Sequence, residues 1–331
     1  MIKTVKLEEL ASVKGGKRLP KGVNLITTPN SHPYIRVRDL NNRHTLELNA
    51  DFEYVDDETQ KNIARYIVDR GDIVLSIVGT IGLVAIIGDS LHHANLTENC
   101  VKLTQLNGVN RDYLYYFLKS ELGQAEIAKG TVGAVQAKLP IKNIQAIEVV
   151  LPSLEQQEKI ASILAAIDYK IEANEKINDN LQQQAMALYA SMFLDNPALE
   201  TTAGTLKDIA DITMGQSPSG SSYNEDGNGE VFYQGRAEFG YRFPTRRLFT
   251  TEPKRMAEAG DVLLSVRAPV GDLNVAYERC CIGRGLGAIH GRNGYQSFVL
   301  YTMFALRPQL DVYNGEGTVF GSINRNALND M

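Results

Sequence analysis

Cysteine is scarce in this sequence. Its 331 residues hold three, Cys100, Cys280 and Cys281. That is too few for a disulfide framework, and the adjacent pair lacks the spacing of a zinc site. Long apolar runs are also missing. The longest nearly apolar stretch, Ile77 to Gly88, is interrupted by Thr80 and falls well short of the roughly 20 residues of a bilayer-crossing helix. No charged-then-apolar leader precedes a small-residue cleavage site, so the expected location is the cytoplasm and no membrane partner is expected. Nor is there a strong excess of one charge outside the middle of the chain. Of the net charge of -5, residues 1–150 carry +1, residues 151–204 carry -5 and residues 205–331 carry -1. The flanking segments are nearly balanced and can still present basic faces, so the acidic total does not exclude nucleic acid. What is present, 44% apolar and 22% charged residues, excludes wholesale disorder, and the length suggests two domains.

Catalytic signatures are absent too. Gly16-Lys17 is followed by Arg18 and has no glycine five positions before it, so there is no P-loop. Gly283-Arg284-Gly285-Leu286-Gly287-Ala288 fits a loose dinucleotide pattern, but no helix periodicity follows and a strand-turn is the better reading. His92-His93 has no zinc-protease or zinc-finger spacing and reads as a solvated loop. No Gly-x-Ser-x-Gly elbow occurs, nor the Asn/Asp-Pro-Pro-aromatic motif with which an adenine methyltransferase holds a flipped base. No catalytic or metal-ligating residue is expected in this chain.

The middle segment carries the clearest pattern. Ser153 can cap a helix with Gln156 as its reciprocal partner, and no Gly or Pro follows until Asp195. Ile160, Leu164, Ile167, Ile171, Leu181, Ala185, Leu188 and Met192 fall on an alternating 4-3 spacing, with Asn174 and Asn178 at the seam between. The spacing predicts one amphipathic helix of about 40 residues, roughly 60 Å long. Such a stripe needs a second helix to cover it, and buried seam Asn would fix register.

The flanking segments are related to each other. Gly71-Asp72-Ile73-Val74-Leu75-Ser76 returns as Gly260-Asp261-Val262-Leu263-Leu264-Ser265 at an offset of 189, and Gly82 returns as Gly271. Gly130-Thr131-Val132 returns as Gly317-Thr318-Val319, and Val5 to Ala11 resembles Thr205 to Ala210. Matches in one order indicate a tandem duplication with too long a period for a solenoid. By this spacing Met331 corresponds to about position 143 of the first copy, so the second copy stops before a second long helix.

Polar clusters remain. Lys14, Lys17, Arg18 and Lys21 share a Gly-rich segment, and Arg36 and Arg38 are expected on one face of a strand. In the second copy Gln216 is followed by Gln234-Gly-Arg236, Tyr241-Arg242 and Arg246-Arg247, and eleven of its thirteen basic residues are Arg. Arginine forks onto guanine edges and phosphates as lysine does not. The candidate DNA contacts are therefore Lys17, Arg18, Arg36, Arg38 and Gln136 in the first copy. In the second they are Gln216, Arg236, Arg242, Arg246 and Arg247.

Leu151-Pro-Ser-Leu-Glu-Gln-Gln-Glu-Lys-Ile-Ala-Ser-Ile-Leu164, running on through Ala165-Ala-Ile-Asp-Tyr-Lys-Ile-Glu-Ala-Asn174, closely resembles the central helical region of type I restriction-modification specificity subunits. The Gly-Asp-Ile/Val-Leu-Ser element, Ala187 to Phe193, and the Gly-Thr-Val segments ahead of Gln136 and Asn324 are similar to that family as well. The resemblance implies an α/β (α+β) fold of two duplicated target recognition domains joined by a long helix. Residues 1–150 would form the first domain, 151–204 the spacer helix and linker, and 205–331 a C-terminally incomplete second domain. It implies a non-catalytic subunit that reads a two-part sequence in double-stranded DNA and docks methyltransferase and restriction/translocase subunits. S-adenosylmethionine, ATP and magnesium would sit on those partners and no cofactor on this chain. Ile160, Leu164, Ile167, Ile171, Leu181 and Leu188 would form the subunit interface, to a partner or to a second copy of the chain. The competing reading is a helical scaffold that binds protein and no DNA.

Overall fold

The repeated Gly-Asp-apolar-Leu-Ser element forms the centre of a sheet twice. The structure is a computed structural model, and it describes residues 3–40, 43–133, 136–315 and 321–331. It divides into two units, residues 1–176 and 177–331.

In the first unit the order is β1 (Lys3–Lys6), α1 (Leu7–Leu10), β2 (Ser12–Gly15), β3 (Pro33–Ile35), β4 (Thr45–Leu46), β5 (Glu53–Tyr54), α2 (Asp57–Ile63), β6 (Ile73–Ser76), β7 (Val84–Ile87), β8 (Asn95–Leu96) and β9 (Cys100–Thr104). Then come α3 (Arg111–Lys119), α4 (Glu121–Gly130), α5 (Ile141–Gln145), β10 (Glu148–Leu151) and the start of α6 (Leu154–Tyr189). The main sheet is ordered β2-β9-β6-β7-β4, a smaller one β5-β3-β8, and β1 pairs with β10. Strand β6 is buried along its whole length, and its two faces serve two cores. Ile73 and Leu75 pack in one core with Leu114, Leu118 and Ile144 of the helices. Val74 packs in the other with Ala85, Leu96 and Cys100.

The second unit repeats this. Its order is α7 (Leu206–Ile209), β11 (Ala210–Met214), β12 (Tyr223–Asn224), β13 (Glu230–Tyr233), β14 (Leu248–Thr250), β15 (Met256–Ala257), β16 (Val262–Ser265), β17 (Leu273–Val275), β18 (Cys280–Ile282), β19 (Leu286–Gly291), α8 (Gln296–Ala305), α9 (Arg307–Asp311) and α10 (Arg325–Asn329). The sheets are ordered β11-β19-β16-β17 and β12-β14-β13-β18-β15. Val262 and Leu264 face Val299, Met303 and Leu328, whereas Leu263 faces Val231, Ile282 and Ala288. Both copies of the element start at a glycine with left-handed backbone, Gly71 at φ 85° and Gly260 at φ 90°, which explains the residue type there.

Matched hydrogen bonds confirm the duplication and correct its register. Leu7 N donates to Ile147 O (2.9 Å) as Leu206 N donates to Met331 O (2.7 Å), and Leu139 N donates to Ile77 O (3.0 Å) as Ile323 N does to Val266 O (3.1 Å). Met331 therefore matches Ile147, not position 143, because loops of unequal length absorb the difference. The Gly317-Thr318-Val319 repeat lies outside the described residues.

The long helix is present. α6 runs for 36 residues, about 54 Å at 1.5 Å per residue, and Ala190–Leu194 extends it in π-helical form. Ser153 and Gln156 form the capping box: Ser153 N donates to Gln156 Oε1 (3.2 Å) and Gln156 N to Ser153 Oγ (3.4 Å). The division between the units falls inside this helix, between Lys176 and Ile177. The reason lies in the face it packs with. Gln157 and Ala161 are buried and Ala165 and Asp168 half-buried, all on the first unit, and Tyr189 is buried on the second. Gln157 Oε1 accepts from Asn110 N (2.8 Å), Asp168 from the Tyr116 hydroxyl (2.8 Å), and the Tyr189 and Thr302 hydroxyls are hydrogen-bonded at 2.9 Å. The 4-3 apolar stripe faces elsewhere. Ile160, Leu164, Ile167, Ile171, Leu181 and Leu188 are all exposed, as are Ile163 and Ile177.

Candidate nucleic-acid interface

The candidate contacts fall on loops that the sheets hold in place. Where β2 ends, Gly16 N donates to Cys100 O (3.0 Å) and Lys17 N to Leu96 O (2.8 Å). Where β11 ends, Gly215 N donates to Leu286 O (2.9 Å) and Gln216 N to Ile282 O (2.9 Å). A Cβ at Gly16 would stand 2.0 Å from Thr97 O, and one at Gly215 2.1 Å from Gly283 O, so only glycine allows this approach. Lys17 and Gln216 thus hold matched, exposed positions on pinned loops. The Lys17 ammonium lies 5.6 Å from the centre of the Tyr66 ring. Arg18 is exposed and pairs with Glu98 at 2.5 Å. Gln136 is exposed, two residues before Lys138, which pairs with both Val132 and Val78.

The remaining candidates are mostly held by carboxylates. Arg36 and Arg38 do not share a strand: β3 stops at Ile35, and Val37–Asp39 is a 3-10 turn. The turn forms because Arg36 N donates to the buried Asp39 carboxylate (2.7 Å). Both guanidinium groups reach Glu53, and both lie close to Asp39. Burial pushes the Asp39 carboxyl up, against the pull of the Arg36 and Arg38 charges. Buried Glu238 occupies the equivalent turn of the second unit, where Arg247 grips it at 2.7 Å. Arg236 is paired with Asp272, and Arg246 forks onto Glu278 with contacts of 2.5 and 2.8 Å. Arg242 differs: among the described residues no carboxylate pairs with it. It lines a cleft of about 550 Å³ with Asn178, Leu181, Gln182, Tyr241, Phe243 and Tyr301.

Sequence reasoning missed three arginines that the structure brings together. Arg267, on the turn after β16, Arg284, between β18 and β19, and Arg325, opening α10, line one cleft of about 400 Å³ with Met214, Val266 and the segment 321–324. Gly283-Arg284-Gly285 is a strand-turn, as expected. Arg284 N donates to Ser217 Oγ (3.3 Å), which places this turn beside the Gln216 loop. The arginine-rich composition pointed to this unit, but only chain topology shows that residues 267, 284 and 325 converge.

The other chemical groups are muted. Cys100, Cys280 and Cys281 are free and buried. Burial pushes the Cys100 thiol far up and the Cys280 thiol up to about 12, so neither is a ready thiolate. Asp69, His92 and His93 bring ligand atoms within 4.8 Å of one another. All three are exposed, and the Lys102 ammonium lies 3.5 Å from the Asp69 carboxylate, where it competes with any cation. Among the described residues no helix is long and apolar enough to cross a membrane.

Two copies of one α/β module, each with cationic and amide side chains on pinned loops, define a duplicated binding module built on a long helix. Residues 2–183 match the type I restriction modification DNA specificity domain. A Methanocaldococcus jannaschii protein named "Putative type I restriction enzyme MjaX specificity subunit" is 33% identical over 307 residues, covering 84% of this chain and 71% of the relative. The type I restriction enzyme MjaIX specificity subunit of the same organism is 27% identical over 163 residues, 49% of this chain and 37% of the relative. The crystal structure of the type I restriction-modification system S subunit from M. genitalium shares the fold, with a TM-score of 0.57, 17% identity, all of this chain covered and 83% of the other. This chain belongs to the type I restriction-modification specificity family.

Proposed function

We propose that this chain is the DNA-reading subunit of a restriction-modification assembly, with each α/β module reading one half of a split sequence. The observation that carries this is a shared loop frame with changed side chains. The matched hydrogen bonds put Lys17 opposite Gln216, Glu98 opposite Arg284 and Lys138 opposite Ser322. Identical frames with different donors and charges suit two different half-sites. Residues 1–150 and 205–331 act as the readers, and the segment 151–204 as a spacer that sets the number of unread base pairs between them.

The chain itself supplies binding and positioning. Methyl transfer and cleavage fall to partner subunits, which carry S-adenosylmethionine, ATP and magnesium. The exposed stripe of α6, from Ile160 to Leu188, is the surface on which a partner helix docks, since a stripe of that length left in water is unfavourable. Lys17, Gln136, Gln216 and Arg242 are the candidates best placed to meet DNA. Arg36, Arg38, Arg236, Arg246 and Arg247 must first leave their carboxylates.

A single-molecule methylation map of the host genome, with the gene intact and then deleted, tests this. Loss of one two-part adenine motif on deletion is the expected result. An unchanged map, together with partner binding that ignores salt, would favour the protein-binding scaffold.

A further inference from the structure

We infer that the cleft formed by Arg267, Arg284 and Arg325 is a seat for the DNA phosphate backbone, and that the second module grips the duplex there. The inference rests on the DNA-reading function proposed above and names residues that function did not require. Each of the three side chains is exposed. Among the described residues none has a carboxylate partner, and no acidic residue lines the cleft. That separates them from Arg236, Arg246 and Arg247, which are already bound to Asp272, Glu278 and Glu238. Asp211, an acidic group that feels the Arg325 charge, is itself paired with Arg292 at 2.7 Å.

Three guanidinium groups lining one concavity, none of them paired with a carboxylate among the described residues, repel one another and are stabilised by an anion. The cleft also holds the Ser322 hydroxyl, a neutral donor. Its rim continues to the Gln216 loop through the Arg284–Ser217 hydrogen bond. Backbone contact in the cleft and amide side chains beside it is the division of labour expected of a DNA reader, with phosphates fixing register and neighbouring groups reading bases. Among the described residues the first module has no such seat. Val78 stands in place of Arg267, and Glu98, paired with Arg18, in place of Arg284.

The test titrates the full-length chain with a random-sequence duplex over a salt series. In the R267A/R284A/R325A variant the slope of log affinity against log salt should shrink by about 0.9 for each phosphate no longer neutralised. Affinity should fall equally for every duplex sequence. The corresponding triple lysine variant should retain most of the slope, since a phosphate accepts either cation. Arg279→Ala, an exposed arginine paired with Glu230 (2.9 Å) and Glu258 (3.4 Å), should leave the slope unchanged. A folded alanine variant with wild-type slope and affinity overturns the inference. So does a lysine variant that loses the slope as fully as the alanine one, or a triple variant whose methylated motif changes, which would make these base-reading groups. If the wild-type chain binds no duplex at all, the DNA-reading function falls, and the inference with it.

Discussion

At the scale of single residues, local sequence announces a side chain's chemistry but not whether that chemistry is free. Arg246 and Arg284 look equivalent in the sequence, each in a polar, turn-like segment. In the structure Arg246 is forked onto Glu278, 32 residues away, and among the described residues Arg284 is not paired with a carboxylate. Pairing at that sequence distance is set by which strands become neighbours, so no local pattern could separate the two. Glycines were more legible, because their spacing repeats. At Gly215 the cause is the backbone of Gly283, 2.1 Å from where a Cβ would sit. Gly215→Ala should force a backbone shift costing about 1–3 kcal/mol and displace Gln216, seen as a lowered melting temperature with weakened DNA affinity. Asp112 gives a pH-dependent case. The His44 imidazole 3.2 Å away holds its carboxyl low, burial opposes this, and Arg111 adds to the lowering. Because the folded value lies below the unfolded one, the stabilisation is present above the usual carboxylate range and is lost as pH falls through the folded value. Asp112→Asn should make the chain less stable at neutral pH and flatten its stability profile in acid. An unchanged acid profile would show that Asp112 contributes nothing.

At the scale of elements, the capping box and 4-3 spacing located α6 correctly, because both are local rules. The face it packs with was not legible. The helix meets the first unit through Gln157, Ala161 and Asp168, a polar and small-residue face, and leaves its isoleucine stripe in solvent. Hydrogen bonds explain how a polar face can dock, since Gln157 and Asp168 satisfy Asn110 N and the Tyr116 hydroxyl. Tyr116→Phe should therefore destabilise the chain by on the order of 1–3 kcal/mol, as measured by denaturant unfolding. Ile167→Asp, at 52% exposure, should change stability by less than about 0.5 kcal/mol while abolishing co-purification of a methyltransferase subunit. If Ile167→Asp unfolds the chain instead, the stripe belongs to the fold and is not a docking surface. The strand expected at Arg36–Arg38 failed for a similar reason: the Asp39 carboxylate draws Arg36 N into a tight turn that alternation alone cannot foresee.

At the scale of the whole molecule, the duplication was the most legible feature. Glycine and core positions recur because both modules bury the same central strand between two cores. Its register was less so, since loop lengths differ and only the matched hydrogen bonds bring Met331 level with Ile147. Equivalent frames with unlike side chains make the central claim that each module reads its own half-site. The most direct test replaces residues 205–331 with the second recognition module of a relative of different specificity and maps adenine methylation in cells carrying the hybrid. The account predicts a new motif in which one half and the spacer are kept and the other half is exchanged. A motif altered in both halves, or left unchanged, would contradict it.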